Sequence, residues 1–371
     1  MSADAYAGKS GISPEFDEID GLEDRWPVQA TVFYALMCTV TVLNFLVYGV
    51  KRAIAESDRR EWLPKYRGYG VEAPLAAYFR KQHALGAVVI VISALRALFP
   101  TQLAERFAWY EGAVCSVLVH RALQAVLELC LVALLVSALS VVNRQVFYLR
   151  SRPHLNAAFD LDGSGFPPGG VGMYRCTQVA TIVAVGLVVG AQVNAFLGTL
   201  TASSQWYAYA EVCWGLGLLV LLPSVGYLYS HAATYRESSS YEQSGTSTAT
   251  LLAAESVIVV FYLIWLTKDV PDWWSRVLEE DKHSVPAVSW EESFKYALDF
   301  RLVTHSWNVW CRPAAWETIY RIVINVKAIF LAAGPHLAGV PLDGFQPESD
   351  REDERHAERE EAAAHHHERV F

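Results

Sequence analysis

Seven stretches of this chain are apolar for long enough to cross a lipid bilayer, which leaves few folds open to it. An α-helix needs about 20 apolar residues to traverse about 30 Å of hydrocarbon. Runs of that kind lie at Val28–Val50, His83–Phe99, Gly112–Val142, Thr177–Leu200, Val212–Ser230, Thr250–Thr267 and Ala314–Gly334. One or two such runs can be core helices of a soluble domain, but seven in one chain argue strongly against a soluble fold. The third run contains no Gly or Pro after Gly112 and is expected to continue as one helix to about Tyr148. Hydrophobic residues make up 53% of the chain and charged residues 19%, even though both ends are strongly polar. The expected fold class is an all-α membrane protein, a bundle of seven transmembrane helices.

Basic residues in short loops set the orientation of such a bundle, because they stay on the cytoplasmic side. The first loop carries Lys51, Arg52, Arg59, Arg60, Lys65, Arg67, Arg80 and Lys81, and the third carries Arg144, Arg150, Arg152 and Arg175. The loops on the other side are nearly free of them, with Arg106 after the second run and none from Thr201 to Glu211. The N-terminus is therefore expected outside and the C-terminus in the cytoplasm. Residues 1–27 read as an acidic, flexible segment, 28–334 as the transmembrane domain, and 335–371 as a charged cytoplasmic tail. No basic stretch leads into a short apolar core within the first 27 residues, so the first run is expected to start translocation itself. The net charge of −9 comes mostly from the two polar ends and argues against nucleic acid as a partner. The long aromatic-rich segment 268–313 is expected on the outer side, as short interfacial helices or as a lid over a cavity. The protein belongs by this reading to the plasma membrane or to the endoplasmic reticulum and endomembranes, with lipids as its constant partners.

Ionisable groups inside a membrane are costly and are candidate functional residues for that reason. Arg121, Gln124 and Glu128 fall at i, i+3 and i+7 of the third run, on one helical stripe that should face the bundle interior. Two links are open between Arg121 and Glu128: through Gln124, or through a partner helix. His120 neighbours that stripe and reads as a satisfied core histidine. Glu255 lies one turn into the sixth run, near the cytoplasmic side. Lys327 lies in the inner half of the seventh, sharing a stripe with Trp316 and Tyr320 and with no carboxylate one turn away. Its flexible stem is expected to snorkel to the cytoplasmic headgroups, with Glu128 as the alternative partner. Arg96 is expected to snorkel at the outer end of the second run, and Glu211 to meet water at the outer boundary.

Cys115, Cys213 and Cys311 all fall near the outer ends of their segments, where an oxidising compartment would allow a disulfide between two of them. The topology resembles that of seven-helix receptors, in which the top of helix three is tied to the loop before helix five, and this resemblance implies Cys115 and Cys213 as the pair. Other marks of that family are absent. The inner end of the third run reads "VVNRQVFY" where an acidic–Arg–Tyr motif is usual, and the seventh lacks Asn-Pro-x-x-Tyr. A retinal protein is disfavoured because the counter-ion position four residues before Lys327 is Val323. "DLDGSG", Asp160–Gly165, matches half of a calcium loop but is followed by Val171 where a Glu would bind, and reads as a Gly/Pro-rich connector. His365–His367 lie in the charged tail and carry no expected site. No cofactor and no metal site is expected.

These features favour a receptor-like protein that binds a small lipophilic or peptide ligand, with a cytoplasmic protein partner at the basic inner loops. The alternative is a membrane-embedded enzyme or accessory protein of lipid or terpenoid metabolism that uses intramembrane Glu or His. An enzyme would require at least two acid/base groups at one membrane depth.

Overall fold

The computed structural model describes residues 28–62, 72–102, 107–150, 170–201, 203–236, 242–282 and 307–333, together with positions 291, 294, 297, 298 and 303. The described chain is almost entirely helical, in seven long helices. They are α1 (Val28–Trp62), α2 (Glu72–Leu98), α3 (Val117–Arg150), α4 (Gly170–Thr201), α5 (Ser204–Arg236), α6 (Glu242–Lys282) and α7 (Trp307–Ala333). Each overlaps one of the apolar runs and most extend beyond it into polar flanks, although the third run begins at Gly112, five residues before α3. The half-calcium loop at Asp160–Gly165 and the histidines at 365–367 lie outside the described residues.

Local chemistry sets the ends that matter for the polar sites. Pro100 follows α2 and cannot prolong it. A two-residue antiparallel pairing, Thr101–Gln102 with Phe107–Ala108, turns the chain back toward α3. Gly112 sits at φ 142°, a backbone conformation that a side chain would strain. Ser116 then opens α3, its Oγ accepting a hydrogen bond from the Val119 N–H at 3.0 Å, as an N-cap residue does. Only two residues separate α4 from α5, so these two helices run antiparallel side by side.

Five helices, α1 to α5, are long and apolar enough to cross a membrane by length and composition, over Val28–Ser57, Ala76–Leu98, Val117–Asn143, Gly172–Thr201 and Ser204–Ser230. Large apolar side chains exposed along α1 and α4, such as Leu36, Val47, Val179 and Ile182, form the surface that lipid would cover. Glu317, Arg321, Asn325 and Lys327 dilute the apolar character of α7.

α5 packs along α4 and α6, α3 lies against α2 and α4, and α7 lies against α2, α1 and α3. The main core gathers Leu127, Leu134 and Leu139 of α3 with Val89 of α2, Leu228 of α5, Leu252 of α6 and Leu331 of α7. A second, aromatic cluster unites Phe33, Trp109 and Trp310, with Tyr34 stacked on Trp109 at 5.6 Å between ring centroids.

The segment from Lys268, where short interfacial helices or a lid were expected, begins as a continuation of α6 that stays helical through Lys282, and α7 begins at Trp307. The extension is held by bonds within α6. Trp273 Nε1 donates to Asp269 Oδ2 at 3.2 Å, one turn earlier, and the Arg276 guanidinium lies 4.8 Å from the Trp273 ring centre. Trp273 also stacks on Tyr207 of α5 at 4.9 Å, so tertiary contact stabilises the helix past Pro271. Val303, further along the same segment, bridges to Ala108 beside the two-residue pairing. Trp310 is buried under Trp109, where an interfacial aromatic had been expected.

Candidate functional site

Three helices bring their polar side chains to one point. The stripe of α3 faces inward, with Arg121 at 6% and Glu128 at 7% exposure. Gln124 Nε2 donates to Glu128 Oε1 at 2.6 Å. Gln192 of α4 sits between the two charged groups: Arg121 donates to its Oε1 at 2.5 Å, and its Nε2 donates to Glu128 Oε2 at 2.7 Å. Trp214 of α5 adds a third donor, its Nε1 lying 3.0 Å from Glu128 Oε2. Arg121 and Glu128 are 3.9 Å apart, so the direct ion pair is loose and the glutamine carries much of the coupling. Of the two links left open by the sequence, the one through a partner helix is present, by way of Gln192, while Gln124 bonds Glu128.

Glu128 therefore receives three N–H donors on two oxygens, the arrangement that an ionised carboxylate accepts. A second carboxylate lies near this node. Glu211 of α5 accepts a bond from the Tyr262 hydroxyl of α6 at 2.5 Å and interacts electrostatically with Glu128, Arg121 and Asp269. Glu211 is thus built into the α5–α6 interface, where contact with boundary water had been expected. Beyond it, burial holds the Asp269 carboxyl above its usual range, partly offset by the Trp273 hydrogen bond. Together these groups form a polar seam through α3, α4, α5 and α6.

Glu255 and Lys327 form a separate pair. Lys327 Nζ lies 2.7 Å from Glu255 Oε2, and the two side chains are 13% and 3% exposed. Lys327 does not snorkel, and its partner is Glu255 of α6 where Glu128 had been the alternative. The periodicity of α7 alone cannot report a carboxylate brought by another helix.

A third group of polar residues lies where α2, α3 and α7 meet. Arg321 donates to the carbonyls of Ser93 and Arg96, each at 3.0 Å, and Asn325 Nδ2 donates to Ser93 Oγ at 3.0 Å. Arg96, expected to snorkel, is only 3% exposed. His120 is 1% exposed, and neither ring nitrogen has a hydrogen-bond partner, so it is not the satisfied core histidine that was expected.

Cys115 and Cys213 are both free thiols, and no disulfide joins them in this structure. The Cys115 carbonyl accepts from Thr101 at 3.1 Å, which ties the residue to the turn before α3. Cys213 lies 3.7 Å from Asn194 Nδ2 of α4. Among the described residues, no three His, Cys, Asp or Glu side chains gather as a metal site would require.

Sequence reasoning missed Trp214, Tyr262, Arg321 and Asn325 as members of these groups. Trp214 and Tyr262 read as ordinary membrane aromatics, and only the packing of α5 on α3 and α6 reveals their polar ends. Arg321 and Asn325 stand four apart within an apolar run, a signal that could have marked them as one inward-facing stripe. The chain matches no family model, no curated protein and no solved structure.

Proposed function

We propose that the protein is a seven-span integral membrane protein with its N-terminus outside, receptor-like in architecture, which binds a small lipophilic or peptide ligand through the polar seam. The observation that carries the reading is the convergence of Arg121, Glu128, Gln192 and Trp214 from three helices. A purely structural clamp needs one hydrogen-bonded contact, worth about 1 kcal/mol. Here charges and donors are concentrated at one node and continue toward Glu211, Tyr262 and Asp269. A ligand that exchanges bonds with Glu128 would change the packing of α3 on α4 and α5 together. The basic inner ends of the helices supply a surface for a cytoplasmic protein partner.

The test is a thermal-stability screen of the purified protein against lipophilic small molecules and short peptides, repeated on Glu128→Gln. A compound that stabilises wild type but not the variant supports the reading. Equal stabilisation of both by every hit removes Glu128 from the site.

One observation favours the enzymatic alternative. Glu211 and Glu128 are two acid/base groups in electrostatic reach of each other, with the Tyr262 hydroxyl on Glu211. A lipid or terpenoid substrate entering from the bilayer would meet both. Metabolite profiling of a deletion strain distinguishes the readings, since an accumulated lipophilic precursor belongs to an enzyme alone.

A further inference from the structure

His120, Arg96 and Arg321 are used by neither reading above. Both arginines lie inside the bundle, at 3% and 7% exposure, and both charges act on the His120 ring. His120 stands in the first turn of α3, immediately after the Ser116 cap. The N-terminus of a 34-residue helix presents positive potential there. Two guanidinium groups and a helix N-terminus, each favouring negative charge, thus act on the imidazole from three helices.

The His120 ring is the independent sign that something belongs among them. A buried imidazole must donate from one nitrogen and accept at the other, and an unmet polar group in the interior costs about 1–3 kcal/mol. Neither nitrogen is partnered. The Val114 backbone comes near without meeting hydrogen-bond geometry. Asn325 Oδ1 is likewise unpartnered, although its amide nitrogen is held by Ser93. The aromatic cluster of Phe33, Trp109 and Trp310 packs against Ala97, the residue after Arg96.

We infer that the junction of α2, α3 and α7 is a binding site for a small monovalent anion, a halide or a short carboxylate, held by Arg96, Arg321 and the His120 ring. The anion offsets part of the positive charge and gives the ring a partner for its N–H. The Arg321 bonds to the Ser93 and Arg96 carbonyls fix that guanidinium against the end of α2, so the site is held in shape before the anion arrives. Occupancy then ties the entry to α3 to both α2 and α7.

The test uses the full-length protein, purified in sodium gluconate and titrated with chloride, bromide or formate at constant ionic strength. A site of this kind gives a saturable rise in melting temperature of about 3 °C or more. A rise with halides alone identifies a halide site, and a rise with formate alone identifies a carboxylate site. His120→Phe and Arg96→Gln should each shift the midpoint at least tenfold. Because either variant can fail to fold, the wild type is also read by chlorine NMR line width, where broadening reversed by bromide or formate supports the site. Melting that is indifferent to all three anions, or that responds identically in folded His120→Phe, overturns it. So does wild-type protein that causes no broadening.

Discussion

Lys327 and Glu255 show what a buried charge costs and how another helix offsets it. Each group alone would be expensive to bury, and each holds the other at 2.7 Å. Removing one partner leaves the other buried and unpaired, whereas replacing both with apolar groups removes the problem. Lys327→Met is therefore expected to destabilise the protein by about 3 kcal/mol, and Lys327→Met with Glu255→Leu to recover most of that loss, measured by chemical denaturation in detergent micelles. A double variant no more stable than Lys327→Met would show that the pair is not coupled. Asp269 supplies a pH signature of the opposite kind. Its folded pKa is raised above 3.8, chiefly by burial, so the folded protein holds its proton to higher pH than the unfolded chain does. Stability should then fall as pH rises from about 4 through the folded pKa, since ionisation costs more in the folded state. Asp269→Asn keeps an acceptor for Trp273 and should abolish that fall, leaving melting at pH 7 equal to wild type or higher. A variant whose profile still falls as steeply would assign the effect to another group. The sequence made Arg121, Gln124 and Glu128 legible as one stripe because their spacing lies within one helix. The partner of Lys327 was not legible, because residues 72 positions apart meet only through packing.

Helices were the most legible elements, and their ends the least. Every apolar run overlaps an α-helix, but runs end where hydropathy changes and helices end where backbone hydrogen bonding stops. α6 continues past Thr267 because Asp269, Trp273 and Arg276 satisfy one another along its surface and Tyr207 covers Trp273. None of those contacts raises hydropathy, so a hydropathy reading stops short. Close approach between helices also depends on residues that leave no apolar signal. A Cβ added at Gly86 of α2 would stand 2.6 Å from the Cβ of Ala332 in α7 and 3.3 Å from the Tyr48 ring of α1. The Ala332 Cβ is fixed to its backbone and cannot rotate away. At Gly215 of α5 the obstacle is the tip of the Leu266 side chain, which can. Gly86→Ala is thus expected to destabilise by about 1–3 kcal/mol and Gly215→Ala by less, with Gly86→Ala plus Ala332→Gly recovering part of the loss. Melting curves of the three variants check the order, and a larger loss for Gly215→Ala would refute the account.

At the scale of the whole molecule, the charge pattern and the helix order describe one asymmetric object. The C-terminal ends of α1 and α3 and the N-terminal ends of α2 and α4 carry Lys51, Arg52, Arg80, Lys81, Arg144, Arg150 and Arg175, and the turn between α4 and α5 carries no basic residue. The polar seam lies toward the α4–α5 turn, since Gln192 is near the end of α4 while Glu211 and Trp214 are near the start of α5. A ligand reaching that seam from water would come from the side opposite the basic ends. This geometry makes the number of crossings decisive. Five crossings and seven crossings both place the two termini on opposite faces, so tags on the termini cannot separate them. They differ at 283–306, the segment between α6 and α7. If α6 and α7 cross, that segment is luminal in the endoplasmic reticulum, and 237–241, between α5 and α6, is cytoplasmic. The native sequence contains no Asn-x-Ser/Thr acceptor, so an inserted one reports without background. An acceptor inserted at 283–306 should be glycosylated, one at 237–241 should not, and one between α4 and α5 serves as the luminal control if its distance from the bilayer is extended by a flexible linker. Modification at 237–241 would remove the α5 crossing, whereas no modification at 283–306, with the control modified, would remove α6 and α7 from the membrane. Glu255 and Lys327 would then pair outside the bilayer, where their bond would be worth far less.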